Sequence, residues 1–317
     1  MLLAQISSAP DNYNAATFWF VLAAVAFVGA CIGSFLNVVI HRVPREESIV
    51  FPNSRCPSCG AAIRPYDNIP VISYLILRGR CRACRAPIAA RYPAVEALTA
   101  FLFALTFALT GLNLALPFNL VFVAVIVALV FIDAEHMILP DAINYPALAF
   151  ALIARALVPN LYGVGFLRDG ALAGWPAWGL SLVGALVGAV VGAGFLWLMG
   201  WIWQRLFGVE GMGLGDVKMM AMVGAYLGWP LTILTIFIAV LTASIVGVAQ
   251  TIRRAWHDTR RWKLRLSSGA RAALFRRRTR RGLKSSLPFG IFLGIGSIIS
   301  LLVGLSIISW YLSKFTY

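Results

Sequence analysis

Charge is what this sequence has least of. Only 12% of its 317 residues are Asp, Glu, Lys or Arg, and 60% are hydrophobic. A soluble globular domain carries about 25% charged residues, so one water-soluble core cannot account for the length. Acids are the scarcer sign, 12 against 27 Lys and Arg. The first 41 residues hold no Lys or Arg at all. A secretory signal places positive residues ahead of its apolar core, whereas here they begin after the apolar run, at Arg42. The first run is therefore expected to be a retained anchor with its N-terminus outside.

What is abundant is apolar sequence. Runs lie near 18–40, 94–113, 116–133, 142–158, 180–203, 217–228, 230–251 and 287–312. A helix needs roughly 20 residues to cross a bilayer. The pattern predicts an all-α polytopic membrane protein of about eight transmembrane helices. The run 217–228 is short, and is expected to be tilted, re-entrant or fused with its neighbour. The run of Gly184, Gly188 and Gly192, four residues apart, suits close helix packing.

The positive charge is concentrated. Nine of the 27 Lys and Arg lie between Arg42 and Arg91, and thirteen between Arg253 and Lys284. Basic loops beside spans mark the cytoplasmic face, where anionic lipids attract them. The net charge of +15 thus points to membrane lipids as partners, and no nucleic acid is expected. Eight spans starting outside put 42–93, 134–141, 204–216 and 252–286 in the cytoplasm and both termini outside. Three regions follow: a first transmembrane helix at 18–41, a small cytoplasmic domain at 42–93, and a helix bundle at 94–317. The bundle includes the basic loop 252–286, whose only acid is Asp258 and which is expected to lie on anionic headgroups. The segment 159–178, with Trp175 and Trp178, suits an external loop with interfacial aromatics.

Four of the five cysteines fall in 42–93. Cys56-Pro-Ser-Cys59 and Cys81-Arg-Ala-Cys84 are two C-x-x-C knuckles separated by 21 residues, marginally beyond the usual spacer of about 15–20. Two residues between thiolates let both reach one tetrahedral ion, and two knuckles complete a closed four-cysteine zinc site. Disulfides are the alternative, disfavoured in a reducing cytoplasm. Zinc would be structural, compensating for a basic segment with little core. Cys31, inside the first run, is expected to pack.

The few acids near the spans carry the most information, because ionisable groups at membrane depth are costly. Asp133 ends the third run in Phe131-Ile-Asp-Ala-Glu135-His136-Met-Ile-Leu-Pro140-Asp141, and Asp216 precedes the sixth in Gly211-Met-Gly213-Leu-Gly215-Asp216-Val-Lys218. The topology brings both to the cytoplasmic border. Two adjoining carboxylates share a proton, so one can take a proton from water and the other donate to a scissile carbonyl. A structural pair or a transporter's proton relay uses the same residues. Asp141 reads most simply as a helix N-cap, Glu135 and His136 as solvated loop residues, Lys218 as a snorkelling side chain and Glu96 as a buried residue opening the second span. The glycines before Asp216 lack the βαβ setting of a dinucleotide loop. They are expected to let backbone or substrate approach Asp216.

Gly213-Leu-Gly215-Asp216 is the GxGD motif of membrane aspartic proteases. With Asp133 in Asp-x-x-x-x-x-x-Pro140-Asp141, the sequence resembles the type IV prepilin peptidases. Gly33-Ser-Phe-Leu-Asn37-Val-Val-Ile-His-Arg42-Val-Pro44 resembles a further signature of that family. So do Asp67-Asn68-Ile-Pro70 running on to Cys84, Arg91-Tyr92-Pro93-Ala-Val-Glu96 and Pro288-Phe289-Gly290, and the likeness extends from about residue 18 to the end. It implies an inner-membrane enzyme that cuts a basic leader from prepilins or type II secretion pseudopilins on the cytoplasmic side. It also implies methylation of the new N-terminal residue with S-adenosylmethionine. By position, Asp133 and Asp216 would be catalytic, and Cys56, Cys59, Cys81 and Cys84 would hold zinc in the domain tied to methylation. The sequence assigns no residue to S-adenosylmethionine. Departures are Glu135 where Asp is common, Ala89 where Ser is common, and a long basic loop 252–286. A presenilin-like GxGD protease, lacking the knuckles, and a proton-coupled transporter, which should show an inverted repeat, are the competing classes. A basic enzyme should also repel a basic leader, unless Glu135, Asp141 and Glu210 form an acidic entrance.

Overall fold

The computed structural model describes residues 14–160, 163–168, 170–208, 213–262 and 288–314. All eight apolar runs are helices there. The first is α1, Ala15–Arg42. A five-residue helix, α2 at Ile72–Ile76, interrupts the polar segment before α3 at Arg91–Thr110. Then come α4 Leu116–His136, α5 Asp141–Leu157, α6 Ala177–Phe207, α7 Leu214–Leu227, α8 Trp229–Trp262 and α9 Phe289–Leu312. α8 continues as helix into what the sequence places in the basic loop. Residues 263–287, Glu210, Gly211 and both chain ends lie outside the described residues.

Among the described residues, six helices are long and apolar enough to cross a membrane: α1, α3, α4, α6, the Trp229–Arg253 part of α8, and α9. The other two differ in kind. α5 has 17 residues and contains Asp141, Arg155 and Pro146. α7 has 14 residues, about 21 Å at 1.5 Å per residue, against a hydrocarbon core of about 30 Å. Yet Met219, Met220, Met222, Val223, Ala225 and Leu227 of α7 are all buried. A helix apolar on every face belongs inside a bundle. Its hydropathy therefore reads as a span although its length falls short.

The core is organised around α4. One face, with Phe122, Ile126 and Leu129, belongs to a buried cluster to which α5, α6, α7, α8 and α9 also contribute. The other, with Val123, Val127 and Ile132, packs against α1 and α3. The helix that ends in Asp133 is thus held from both sides. α7 is held by backbone contact with α6: a Cβ on Gly188 would sit 2.1 Å from the Gly224 carbonyl oxygen, and one on Gly192 2.5 Å from that of Met220. Of the three spaced glycines, Gly184 does something different, making room for the Arg155 guanidinium and Val164.

Between α1 and α3 the chain has little regular structure. Two isolated antiparallel bridges, Arg55 with Ala62 and Arg80 with Pro87, close its cysteine turns. Arg82 binds Asp67 through Nε at 2.8 Å, tying the second turn to the Pro65–Asp67 single-turn helix. Cys31 is exposed on α1, so it faces away from the helix packing expected of it.

Candidate active site

Asp133 lies in the last turn of α4, and its carbonyl accepts the N–H of Met137 at 2.9 Å. Met137 takes the left-handed conformation, φ 54°, which ends the helix and turns the chain through Leu139 and Pro140 into α5. The Asp133 side chain is only 5% exposed. Its Oδ2 accepts the backbone N–H of Ile291 at 3.2 Å, in the first turn of α9. Gly290 makes that approach possible: a Cβ there would stand 2.8 Å from Asp133 Oδ2.

Asp216 sits in the first turn of α7, following Gly213 as the N-cap, where a helix favours negative charge. Asp133 and Asp216 line one cleft of about 290 Å³, together with Met137, Ile138, Leu139, Asp141, Gly213, Gly215 and Lys218. Met137 and Ile138 are exposed at its rim. Leu139 packs against both α7 and α9. A Cβ on Gly215 would meet Leu139 Cβ at 2.9 Å, and one on Gly290 would meet its Cδ1 at 3.3 Å. Gly215 and Gly290 therefore serve the same purpose, bringing α7 and α9 against the α4–α5 turn.

Two of the remaining acids, Asp141 and Glu135, differ from their simplest sequence readings. Asp141 is the first residue of α5, not its cap; Pro140 holds that position and no side chain caps the helix. The Asp141 carboxylate instead accepts from Lys218 Nζ at 2.7 and 2.8 Å. Lys218 also lies 5.3 Å over the Tyr145 ring, so it is engaged rather than merely snorkelling. Glu135 belongs to the last turn of α4 and pairs with Arg91 at the start of α3. His136 closes α4, with its Nε2 buried. Glu96 accepts the Val71 N–H at 2.7 Å. Of the three acids expected at the entrance, Glu135 and Asp141 are each matched by a cation of the chain itself.

The four cysteines converge. Their Sγ atoms all lie within 4.8 Å of one another, and Cys56 and Cys84 are 3.8 Å apart, unbonded. A tetrahedral zinc with bonds of about 2.3 Å requires sulfurs about 3.8 Å apart. The two turns repeat one geometry. Cys56 N–H donates to Ala61 and Gly60 N–H to the Cys56 carbonyl, both at 2.9 Å. In the second, Cys81 N–H donates to Ala86 at 2.8 Å and Arg85 N–H to the Cys81 carbonyl at 3.0 Å. The left-handed position is Gly60 in one and Arg85 in the other, φ 71° and 59°.

The thiols also behave as a ligand set. The backbone N–H groups of Cys59 and Ser58 bring the Cys56 thiol down to about 6. The Ala86 N–H favours a Cys84 thiolate, but burial and the neighbouring thiols push Cys84 up to about 11. Four sulfurs this close resist joint ionisation, which a divalent cation would reverse. The donor set fits a closed structural zinc site.

Comparison with known proteins matches this arrangement of segments. The family model described as the bacterial peptidase A24 N-terminal domain matches residues 27–110. The type IV leader peptidase family model matches residues 120–248, which include both cleft aspartates. The prepilin leader peptidase/N-methyltransferase of Aeromonas hydrophila is 36% identical over 324 residues, covering 94% of this chain and 96% of the relative. That of Pseudomonas aeruginosa is 35% identical over 322 residues, 92% and 93% of the two chains. That of Neisseria gonorrhoeae is 34% identical over 262 residues, 75% and 85%. No solved structure matches. With such relatives aligned along almost its whole length, the chain belongs to the type IV leader peptidase family.

Proposed function

We propose that the chain is a prepilin leader peptidase and N-methyltransferase of the bacterial inner membrane, with Asp133 and Asp216 as its proteolytic pair. The observation that carries the reading is the shared cleft, reached by two segments 83 residues apart that meet at one end of the bundle. The names of the relatives support both activities.

The pair works by division of labour. The ionised carboxylate takes a proton from a water in the cleft, and the oxygen of that water attacks the scissile carbonyl. The protonated carboxyl donates to the carbonyl oxygen. The resulting diol collapses as the C–N bond breaks: the carboxyl that took the water proton passes it to the departing amine, and the other carboxylate recovers a proton from a diol hydroxyl. Gly213 is exposed and leaves the backbone beside Asp216 bare, which suits an extended substrate strand.

In this reading 42–93 is the cytoplasmic zinc domain tied to methylation, and 94–317 is the protease bundle, with α5 and α7 completing eight membrane-embedded helices. Both termini lie in the periplasm and the cleft faces the cytoplasm. The orientation is supported by the basic residues of 42–91 and 253–284. Prepilins or type II secretion pseudopilins are the substrates, and S-adenosylmethionine is the methyl donor. Zinc in the knuckles would neutralise the four thiolates and lock the two turns together.

The test is to incubate purified protein with a prepilin, with and without S-adenosylmethionine, and weigh the products. Loss of the leader in both samples, and one added methyl group only with S-adenosylmethionine, is expected. An intact precursor would refute the reading.

A further inference from the structure

The segment between α1 and α3 exposes more apolar surface than a polar cytoplasmic module needs. Val50 and Phe51 are 64% and 72% exposed, and Ile72, Leu75 and Ile76 are 52%, 67% and 70%. The last three recur at i, i+3 and i+4, one face of α2. Ser73, the only buried residue of α2, turns its hydroxyl inward: it accepts from Ile69 N–H at 3.1 Å and donates to the Tyr66 carbonyl at 2.9 Å. The polar side of α2 is therefore used up within the module, and its apolar side is left outward.

Two hydrogen-bonded ties fix the depth of these groups. Arg42, the last residue of α1, donates to the carbonyls of Ser48 at 2.8 Å and Pro52 at 2.6 Å. That clamps the loop carrying Val50 and Phe51 at the end of a spanning helix. Glu96 accepts the N–H of Val71, the residue before α2. Glu96 lies five residues into α3, about 7.5 Å from its start. The 20 residues of α3 span about 30 Å, which matches the hydrocarbon thickness. With the start of α3 set at the membrane border, Val71 lies inside it, and its left-handed backbone, φ 60°, turns the chain there into α2. A peptide group at this depth needs a protein partner, which Glu96 supplies. The module is also basic. Arg55, Arg78 and Arg80 are exposed, and residues 42–91 hold nine arginines against Glu46, Glu47 and Asp67, with Asp67 bound to Arg82.

We infer that α2 and the 48–52 loop are inserted in the leaflet at this end of α1 and α3. Acyl chains cover Ile72, Leu75, Ile76 and Phe51, and anionic headgroups lie beside the arginines. The four-cysteine module is then laid on the membrane instead of standing off in solution. Apolar side chains reaching about 5–10 Å into the headgroup–acyl boundary, flanked by basic residues, are the chemistry of an interfacial anchor. The inference needs α1 and α3 to span, but not the proposed enzymatic reading.

The test places the photoreactive residue p-benzoylphenylalanine singly at position 75 and position 76 of the full-length chain, in nanodiscs containing phosphatidylglycerol. Irradiation should give lipid adducts at both positions. Cross-links at both to a second copy of the chain, or no adduct with anything, would overturn the anchor. Hydroxyl-radical footprinting of the unsubstituted chain in the same nanodiscs is independent of those variants. Phe51, Leu75 and Ile76 should be protected from oxidation, and oxidation of all three at the rate of freely exposed side chains would overturn it as well.

Discussion

Replacing Gly290 by Ala should separate activity from stability. The added Cβ would lie 2.8 Å from Asp133 Oδ2, 3.0 Å from its Cγ and 3.3 Å from Leu139 Cδ1. Carbon atoms pack best at about 3.5–4.0 Å, so the carboxylate must withdraw by about 0.5–1 Å and its bond from Ile291 N–H must lengthen. Overpacking of this kind costs about 1–3 kcal/mol. Gly290 is in the first turn of α9, where Ala is the better helix former by up to about 1 kcal/mol. The net loss of stability should therefore be about 0–3 kcal/mol. Activity should suffer more, because a displacement of about 1 Å in a reacting group can cost about 10²-fold. Leader-cleavage rate in liposomes and thermal unfolding would be measured side by side. Gly194→Ala is the control, since a Cβ there meets nothing within 4 Å. Wild-type cleavage by Gly290→Ala would refute the claim that this glycine sets the position of Asp133.

Other expectations follow from the same geometry. Metal analysis should find one zinc per chain, lost in a Cys56→Ser, Cys81→Ser variant, with methylation falling before cleavage; equal metal in both proteins would refute the site. Gly188→Ala should lower stability by about 1–3 kcal/mol, because its Cβ would meet backbone of α7 at 2.1 Å. It should also slow cleavage by moving Asp216, and an unshifted unfolding transition would count against the packing account. Asp141→Asn should unfold and cleave much as the wild type does, since its pair with Lys218 is partly exposed; collapse of cleavage there would move the catalytic role to Asp141.

Much of this was legible in the sequence because membrane helices must satisfy their own backbone. Eight apolar runs accordingly became eight helices. The crossing count was less legible. Hydropathy cannot distinguish a helix buried among helices from one facing lipid, and α7, with six buried apolar side chains in 14 residues, is the former. The cysteine geometry followed from spacing, since two short turns leave few ways to point four thiols. The Lys218–Asp141 pair did not, because 77 residues separate its members and only the packing of α5 against α7 brings them together. Gly290 was visible as part of a motif, but its task of making room for Asp133 belongs to the contact between α9 and α4. Asp141 misled because Pro140 took the capping position one residue earlier.

The central claim is that Asp133 and Asp216 act as one pair. The direct measurement is leader cleavage by Asp133→Asn and Asp216→Asn, each checked for folding by its thermal unfolding transition, with methylation of an already cleaved pilin assayed in parallel. General acid–base groups contribute about 10²–10⁴-fold, so each variant should lose at least that much cleavage while methylation persists. Near-normal cleavage by either folded variant would contradict the account.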